Sequence, residues 1–214
     1  MTSADREHDR VALRLARPGG LDSFEFVAQT PAGPGPGEVE VRLDATGVNF
    51  TNVLQAMGVY QRFTAGEECP EVSAFDGAGV VTAVGEGVRE VREGDRVAAM
   101  CVDGAQAAVM SSHATVRAAC VLRVPDGTST RDAAALPCAC LTAWYALRHR
   151  ARLRPGEKVL IHSASGGADL AAVNLARICG AEVWATADSD AKRVYLRSLV
   201  STWSSAPGCA PAAR

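Results

Sequence analysis

Two adjacent glycines, Gly166 and Gly167, separate a predicted strand from a predicted helix at a spacing suited to binding a phosphate. Residues 158–164 have the apolar character of a strand buried on both faces of a parallel sheet. Residues 170–179 place apolar side chains at helical spacing, and residues 182–187 supply a second strand. In such a unit, glycines let backbone N–H groups approach a pyrophosphate at the helix N-terminus. The pattern predicts a dinucleotide site, and a simple tight turn is the alternative interpretation.

The first part of the chain has a different pattern, which predicts a separate domain beside this unit. Apolar and polar side chains alternate at residues 11–15, 24–27 and 39–43, the period of half-buried strands. Valine-rich strands follow at residues 79–85 and 95–100, with glycine-rich turns between the strands. Short strands at this close spacing are typical of a barrel-like β domain.

The sequence changes character near residue 128, where N-cap residues precede an alanine-rich helix. We therefore predict an N-terminal β domain over residues 10–127 and the start of a nucleotide-binding domain over residues 128–200. Residues 201–214 consist mainly of small residues without a period, which predicts a disordered tail. The expected fold class is α/β with an N-terminal β domain.

Composition excludes several classes of function. The 214 residues carry a formal net charge of −2, so the chain lacks the basic footprint of a nucleic-acid-binding protein. It has no apolar run of the length that crosses a membrane and no apolar segment of a secretory signal near its start. The seven cysteines have neither zinc-knuckle nor thioredoxin spacing, which favours reduced thiols in a cytoplasmic protein.

Four collinear motifs resemble the enoyl reductase domains of modular polyketide synthases, within the medium-chain dehydrogenase/reductase superfamily that also contains NADPH quinone oxidoreductases. They are GVNF at residues 47–50, GVVTAVG at 79–85, GDRV at 94–97 and LRPGEKVLIH at 153–162. The similarity extends over residues 10–199. It implies a GroES-like β barrel followed by a Rossmann domain.

The resemblance implies that NADPH delivers hydride to the β-carbon of a 2-enoyl thioester and that an acid then protonates the α-carbon. The substrate would be bound to an acyl carrier protein, and the protein would act as a homodimer or within a synthase module. The resemblance assigns cofactor contacts to two groups of residues. The pyrophosphate would lie on Gly166, Gly167, Ala168 and Asp169, the 2′-phosphate would lie near Lys192 with Ser189 and Arg193, and Thr142 would contact the cofactor. Lys192 and Arg193 as solvated helix residues remain an alternative.

Two acidic residues depart from the family pattern. Asp169 stands where relatives have a third glycine, so its bulk and charge are expected to oppose the pyrophosphate. An acid in the first turn of a helix also favours the macrodipole, so the fold can accept it. Asp188 follows the second strand, where an acid favours a ribose 2′-hydroxyl and hence NAD, whereas Lys192 favours NADPH. We expect NADPH.

The positions that bind catalytic zinc in related enzymes carry Asn49 and Ala74-Phe75-Asp76 here. Because Asn and Phe are not usual zinc ligands, we expect a reductase without zinc. The resemblance places Asn49 beside the nicotinamide or ribose, and the alternative is an Asn that satisfies backbone groups at a strand end. It also makes Tyr60 a candidate proton donor to the enolate, and the alternative is a packing role.

Three functions therefore remain open: a polyketide enoyl reductase, a freestanding quinone or enal reductase of the same superfamily, and a non-catalytic remnant or scaffold. From Lys158 onward the chain supplies two recognisable strands, compared with six in a doubly wound sheet. We therefore expect a C-terminally truncated domain. The isolated chain would then show negligible reductase activity, weak NADPH binding and an aggregation-prone open strand edge.

Overall fold

The computed structural model describes residues 10–17, 19–20, 22–29, 33–59, 75–100 and 110–199. These residues form two compact units, which divide between Pro137 and Cys138. The predicted domain boundary at residues 127 and 128 stays a prediction. Within the described ranges, no helix has the length and hydropathy needed to cross a bilayer.

The first unit is mainly antiparallel sheet. Strands β1 (Val11–Leu15) and β2 (Phe24–Ala28) form a two-stranded sheet in which Val11 pairs with Ala28. A five-stranded sheet has the order β6-β3-β4-β5-β7. Its strands are β3 (Glu38–Thr46), β4 (Asp76–Val84), β5 (Arg96–Met100), β6 (His113–Arg117) and β7 (Val121–Arg123).

Buried valines form the core of this sheet. Val39, Val41, Val81 and Val97 are fully buried in one core cluster. The strands form where the sequence predicts them, with longer ends at β3 and β4. Strict alternation fails in β3, because Glu40, between Val39 and Val41, is also buried. Residues 118–120 form a 3₁₀ turn between β6 and β7.

The first unit also contains two short helices. Helix α1 (Phe50–Ala56) follows β3, and helix α2 (Thr130–Ala134) packs against β3, β4 and β5. The side chain of Ser129 accepts a hydrogen bond from the backbone N–H of Asp132 at 3.0 Å, which caps α2. Helix α2 thus groups with the first compact unit.

The second unit contains a parallel βαβ arrangement. Its elements are α3 (Pro137–Trp144), a π-helical turn (Tyr145–Arg150), β8 (Lys158–Ile161), α4 (Gly167–Ile178), β9 (Glu182–Ala185) and α5 (Asp190–Leu199). Strands β8 and β9 are parallel, with Lys158 opposite Glu182 and Ile161 opposite Ala185. Helices α4 and α5 contribute the fully buried Val173 and Leu196 to the core under this sheet.

One expectation for β8 is wrong. The strand was predicted to be buried on both faces, but Leu160 is 45% exposed while Ile161 is buried. In the described residues the core includes Val159 and Ile161 but not Leu160. The strand therefore buries alternate side chains against helices on one side, as a half-covered sheet does.

Candidate functional site

The predicted nucleotide turn lies where β8 ends and α4 begins. Gly166 is the N-cap of α4, in extended conformation, and its N–H donates to the Ser163 carbonyl at 2.9 Å. The first turn of a helix leaves backbone N–H groups without intrahelical partners. Among the described residues, no side chain caps the α4 N-terminus. Gly167 and Ala168 thus present backbone donors at the position that the sequence predicts, whereas the Gly166 N–H is engaged by Ser163.

Thr186 fixes the shape of this turn, although sequence analysis did not identify it. Its hydroxyl accepts from the Ser163 N–H at 3.0 Å, and its carbonyl accepts from the Ala164 N–H at 2.9 Å. Ser163 has a φ of 51°, a conformation that is uncommon for a residue other than glycine and that such contacts must hold. The position of Thr186 just after β9 was the signal available in the sequence.

Asp169 occupies part of the space at the same helix end. It is half-buried, and its Oδ2 lies 2.6 Å from the position that a Cβ on Gly166 would take. The carboxylate therefore folds back over the N-cap residue. The negative charge of Asp169 interacts favourably with the positive N-terminal end of the helix dipole, and it also lies beside the backbone donors.

The backbone of this turn suits a pyrophosphate, whereas the charge of Asp169 opposes it. An added Cβ at Gly167 would meet nothing within 4 Å, so the approach to that residue is open. Uncapped N–H groups and an open glycine are the features that anion sites at helix N-termini use. The residues fit the diphosphate of a dinucleotide, and the carboxylate is expected to lower its affinity.

Charged residues after β9 pair with one another in the structure. Lys192 Nζ lies 2.9 Å from Asp188 Oδ1, and the hydrogen bond from Lys192 holds the pKa of Asp188 below its ordinary value. Arg193 Nη2 lies 2.6 Å from Asp190 Oδ1, and its Nη1 donates to the Ala187 carbonyl at 3.1 Å. The Asp188–Lys192 pair has the spacing of one helical turn, which the sequence offered as a signal.

Ser189 and Thr142 are both exposed. The hydroxyl of Ser189 accepts from the Lys192 backbone N–H at 3.4 Å, so it lies at the start of α5. Thr142 lies on α3, in the same unit as the turn. Their predicted contacts with a cofactor stay predictions.

In the first unit, Asn49 forms part of a polar cluster at the start of α1. Its Nδ2 donates to Asp76 Oδ1 at 3.0 Å, and its backbone N–H donates to Asn52 Oδ1 at 2.7 Å. Asp76 and Asn52 are 2% and 4% exposed. A carboxylate only accepts hydrogen bonds, so Asp76 fixes which end of the Asn49 amide faces it.

Gly47 completes this cluster because only glycine has room there. A Cβ at Gly47 would overlap the Asp76 carboxylate and would lie 3.0 Å from the Ala134 carbonyl oxygen. The Gly47 N–H also donates to the Asp76 carbonyl at 2.9 Å. The bonds that join Asn49 to Asp76 and Asn52 were not predicted from the sequence.

Of the positions compared with zinc ligands, Asn49, Phe75 and Asp76 are described, and Ala74 lies outside the described residues, as does Tyr60. Across the described part of the chain, no group of three or more His, Cys, Asp or Glu side chains could hold a metal ion. The absence of zinc and the role of Tyr60 stay predictions. The predicted disordered tail at residues 201–214 also lies outside the described residues.

Comparison with known proteins matches residues 35–129 to the alcohol dehydrogenase GroES-like domain. A mycocerosic acid synthase-like polyketide synthase of Mycobacterium tuberculosis is 41% identical over 198 residues, covering 92% of this chain and 9% of that synthase. The similarity therefore concerns one small region of a much longer protein.

Solved structures of reductases are also similar to this chain. The CurK enoyl reductase matches with a TM-score of 0.82 and 36% identity, over 89% of this chain and 57% of that one. The Escherichia coli quinone oxidoreductase, solved in complex with NADPH, matches with a TM-score of 0.71 and 30% identity, over 86% of this chain and 54% of its own. The chain thus spans little more than half of these reductases. The expected fold class, α/β with a GroES-like N-terminal β region followed by a short parallel-sheet segment, is confirmed.

Proposed function

The chain belongs to the medium-chain dehydrogenase/reductase superfamily, and from this premise we propose that it is part of an NADPH-dependent enoyl reductase of polyketide biosynthesis. The substrate would be a 2-enoyl thioester on an acyl carrier protein. The protein would act on it as a homodimer or as part of a synthase module. The observation that carries the proposal is agreement between two comparisons. The relative at 41% identity is a polyketide synthase, and the solved chain at TM-score 0.82 is an enoyl reductase.

In the proposed reaction, the second unit binds the cofactor. The N–H groups of Gly167 and Ala168 would donate to the pyrophosphate at the α4 N-terminus, and the open space at Gly167 would let it approach closely. Bound NADPH would supply the hydride that adds to the substrate β-carbon. Thr186 would keep the turn in shape through its two hydrogen bonds.

The first unit would position the reacting groups. Asn49 would contact the nicotinamide or ribose, with its amide oriented by the buried Asp76 carboxylate. Tyr60 would donate a proton to the α-carbon of the enolate, which requires its hydroxyl to come within about 3 Å. Changing Tyr60 to Phe in a longer relative is expected to alter the stereochemistry of α-protonation. Unchanged rate and stereochemistry would remove Tyr60 from the mechanism.

We propose that this reaction proceeds without zinc because of the donor chemistry at the compared positions. Asn49 and Phe75 offer no strong zinc ligand, and the Asp76 carboxylate already accepts from Asn49. Elemental analysis of the dialysed protein tests this point. Stoichiometric retained zinc would contradict the proposal.

A quinone or enal reductase is the second candidate function. The similarity to the E. coli quinone oxidoreductase favours it, since that enzyme shares 30% identity with this chain. The two candidates differ in substrate. Reduction of a quinone but not of a crotonyl thioester would favour the second candidate, and the reverse would favour the first.

The test is direct measurement on the 214-residue chain. NADPH fluorescence reports cofactor binding, and the loss of NADPH absorbance with crotonyl thioester reports turnover. We expect weak binding, because the Asp169 carboxylate lies beside the pyrophosphate donors. The same assays in a longer relative that carries the complete reductase should show turnover. Absence of nucleotide binding in both proteins would overturn the proposed function.

A further inference from the structure

We propose that Asp188 makes the adenosine ribose subsite accept a 2′-hydroxyl as well as a 2′-phosphate. The chain would then bind the adenosine halves of NADH and NADPH with similar affinity. This inference rests on the proposed function, because it concerns the same nucleotide site. It assigns cofactor selectivity to the ion pair between Asp188 and Lys192.

The first observation is that Lys192 is already engaged. Its ammonium lies 2.9 Å from one Asp188 carboxylate oxygen and 3.1 Å from the other. An incoming phosphate must therefore take Lys192 away from a carboxylate. A ribose hydroxyl, in contrast, can donate to that carboxylate while the ion pair persists.

The second observation is that Arg193 cannot readily assist. Its side chain is only 12% exposed, and its guanidinium donates to both Asp190 and the Ala187 carbonyl. These bonds hold Arg193 against the end of β9 as a structural group. Of the two basic residues predicted to bind a phosphate, Lys192 therefore has the more exposed ion pair, which a ligand can open at lower cost.

The third observation is the local balance of charge. Asp188 and Asp190 offset Lys192 and Arg193, so these four side chains sum to zero. A 2′-phosphate carries about −1.5 to −2 charges at neutral pH. Without a net positive charge, this subsite gains little attraction for the phosphate over the hydroxyl.

The Asp188–Lys192 pair can also open at low cost. Its side chains are 75% and 50% exposed, and solvent-exposed ion pairs contribute little to stability. Opening the pair lets Lys192 bind a phosphate, but it leaves the Asp188 carboxylate beside that phosphate. The gain from the cation and the repulsion from the anion therefore oppose each other, which gives similar affinity for both ligands.

The experiment compares adenosine 5′-monophosphate with adenosine 2′,5′-bisphosphate, which differ only in the 2′-phosphate. Calorimetric titration of the 214-residue chain at low salt measures both dissociation constants. We expect the two constants to agree within about threefold, that is, within about 0.7 kcal/mol.

Two variants are expected to shift the selectivity between the bisphosphate and the monophosphate in opposite directions. Asp188→Asn removes the competing charge and is expected to shift selectivity about tenfold toward the bisphosphate. Lys192→Met removes the cation and is expected to shift selectivity about tenfold toward the monophosphate. Glu182→Gln is the matched control, because Glu182 forms an ion pair with Lys158 at the other end of β9. It should leave the ratio unchanged.

The outcomes separate the inference from the proposed function. A preference above tenfold for the bisphosphate in the unmodified chain would overturn the inference and support an NADPH site. An unchanged ratio in Asp188→Asn would also overturn it. If neither nucleotide binds the unmodified chain or any variant, the nucleotide site itself is wrong and both proposals fail.

Discussion

The two units use charged side chains in different ways. In the first unit, Glu40 is 6% exposed and accepts from Arg10 through both carboxylate oxygens, at 2.6 and 3.0 Å, and from the Thr82 hydroxyl. In the second unit, the Asp188–Lys192 pair is largely exposed. A buried pair cannot exchange partners with solvent or ligand at low cost, whereas an exposed pair can. The Arg10–Glu40 pair therefore fixes structure in the first unit, whereas the Asp188–Lys192 pair of the second unit is one that a ligand would recruit under the proposed function.

Placing the same substitution in both units tests this difference most strongly. Gly47→Ala is expected to lower the free energy of unfolding by about 3 kcal/mol, because its Cβ would overlap the buried Asp76 carboxylate. Gly167→Ala is the matched change, and the open space there predicts stabilisation of about 0.5 kcal/mol. Hydrogen exchange of β3 and β4 amides measures the first unit. Tryptophan fluorescence during urea denaturation reports unfolding of the second unit, because all three tryptophans follow residue 137.

Equal effects of the two glycine substitutions would contradict the comparison. In that case the cluster around Asp76 would be able to relax, and its close packing would not fix the position of Asn49. Circular dichroism checks that each variant keeps its secondary structure before these values are compared.

A second test uses two arginine–glutamate pairs within the first unit. Glu40→Ala is expected to cost about 2 kcal/mol, because it leaves Arg10 partly buried without its partner. Glu25→Ala breaks the Arg14–Glu25 pair, whose side chains are both 43% exposed, and should cost less than about 1 kcal/mol. Hydrogen exchange of β1 and β3 amides reports both variants. A larger loss of unfolding free energy in Glu25→Ala than in Glu40→Ala would show that burial does not determine how much these ion pairs stabilise the fold.

The sequence predicted the secondary-structure elements better than it predicted the side-chain contacts between them. Alternation predicted β3, and apolar spacing with two glycines predicted the βαβ unit around α4. The bond between Asn49 and Asp76 could not be predicted, because 27 positions separate these residues and only the folded sheet brings them together. Burial of Leu160 was overestimated, because an apolar run does not reveal which face a helix covers.

The contacts among the charged residues of the second unit were not predicted either. Asp188 and Lys192 are four residues apart, but Asp188 lies before α5 begins at Asp190, so helical spacing alone does not give their contact. The engagement of Arg193 with the Ala187 carbonyl depends on where β9 ends, which sequence analysis had placed at residue 187 and the structure places at Ala185.

A smaller effect is expected at the nucleotide turn. Asp169→Gly should tighten NADPH binding about tenfold, or ~1.4 kcal/mol, by removing a carboxylate beside the pyrophosphate donors. Asp169→Asn keeps the size of the side chain and removes its charge, so it separates repulsion from bulk. Fluorescence titration of NADPH measures all three proteins. Unchanged affinity in both variants would show that Asp169 does not limit binding.

The smallest effect is a pH dependence of the first unit. Burial would raise the pKa of Glu40, but hydrogen bonds from Arg10 and Thr82 hold it below the ordinary value of 4.5. Because the folded pKa is depressed, this stabilisation is present above about pH 4.5 and is lost as the pH falls through the folded pKa. Hydrogen exchange of β3 at pH 6 and in acid, compared with Glu40→Gln, should show a flatter acid response in the variant. Parallel acid responses would contradict the assignment to Glu40.

The sequence separation of paired strands differs between the two units, and this difference predicts an order of folding. Strands β3 and β6 pair residues that are remote in the chain, such as Glu38 with Arg117, whereas one helix connects β8 to β9. Closing a long loop costs more entropy before its contacts form, so proteins with remote pairings fold more slowly. The βαβ segment is therefore expected to acquire its structure early in folding. The antiparallel sheet is expected to be completed later, when β6 pairs with β3.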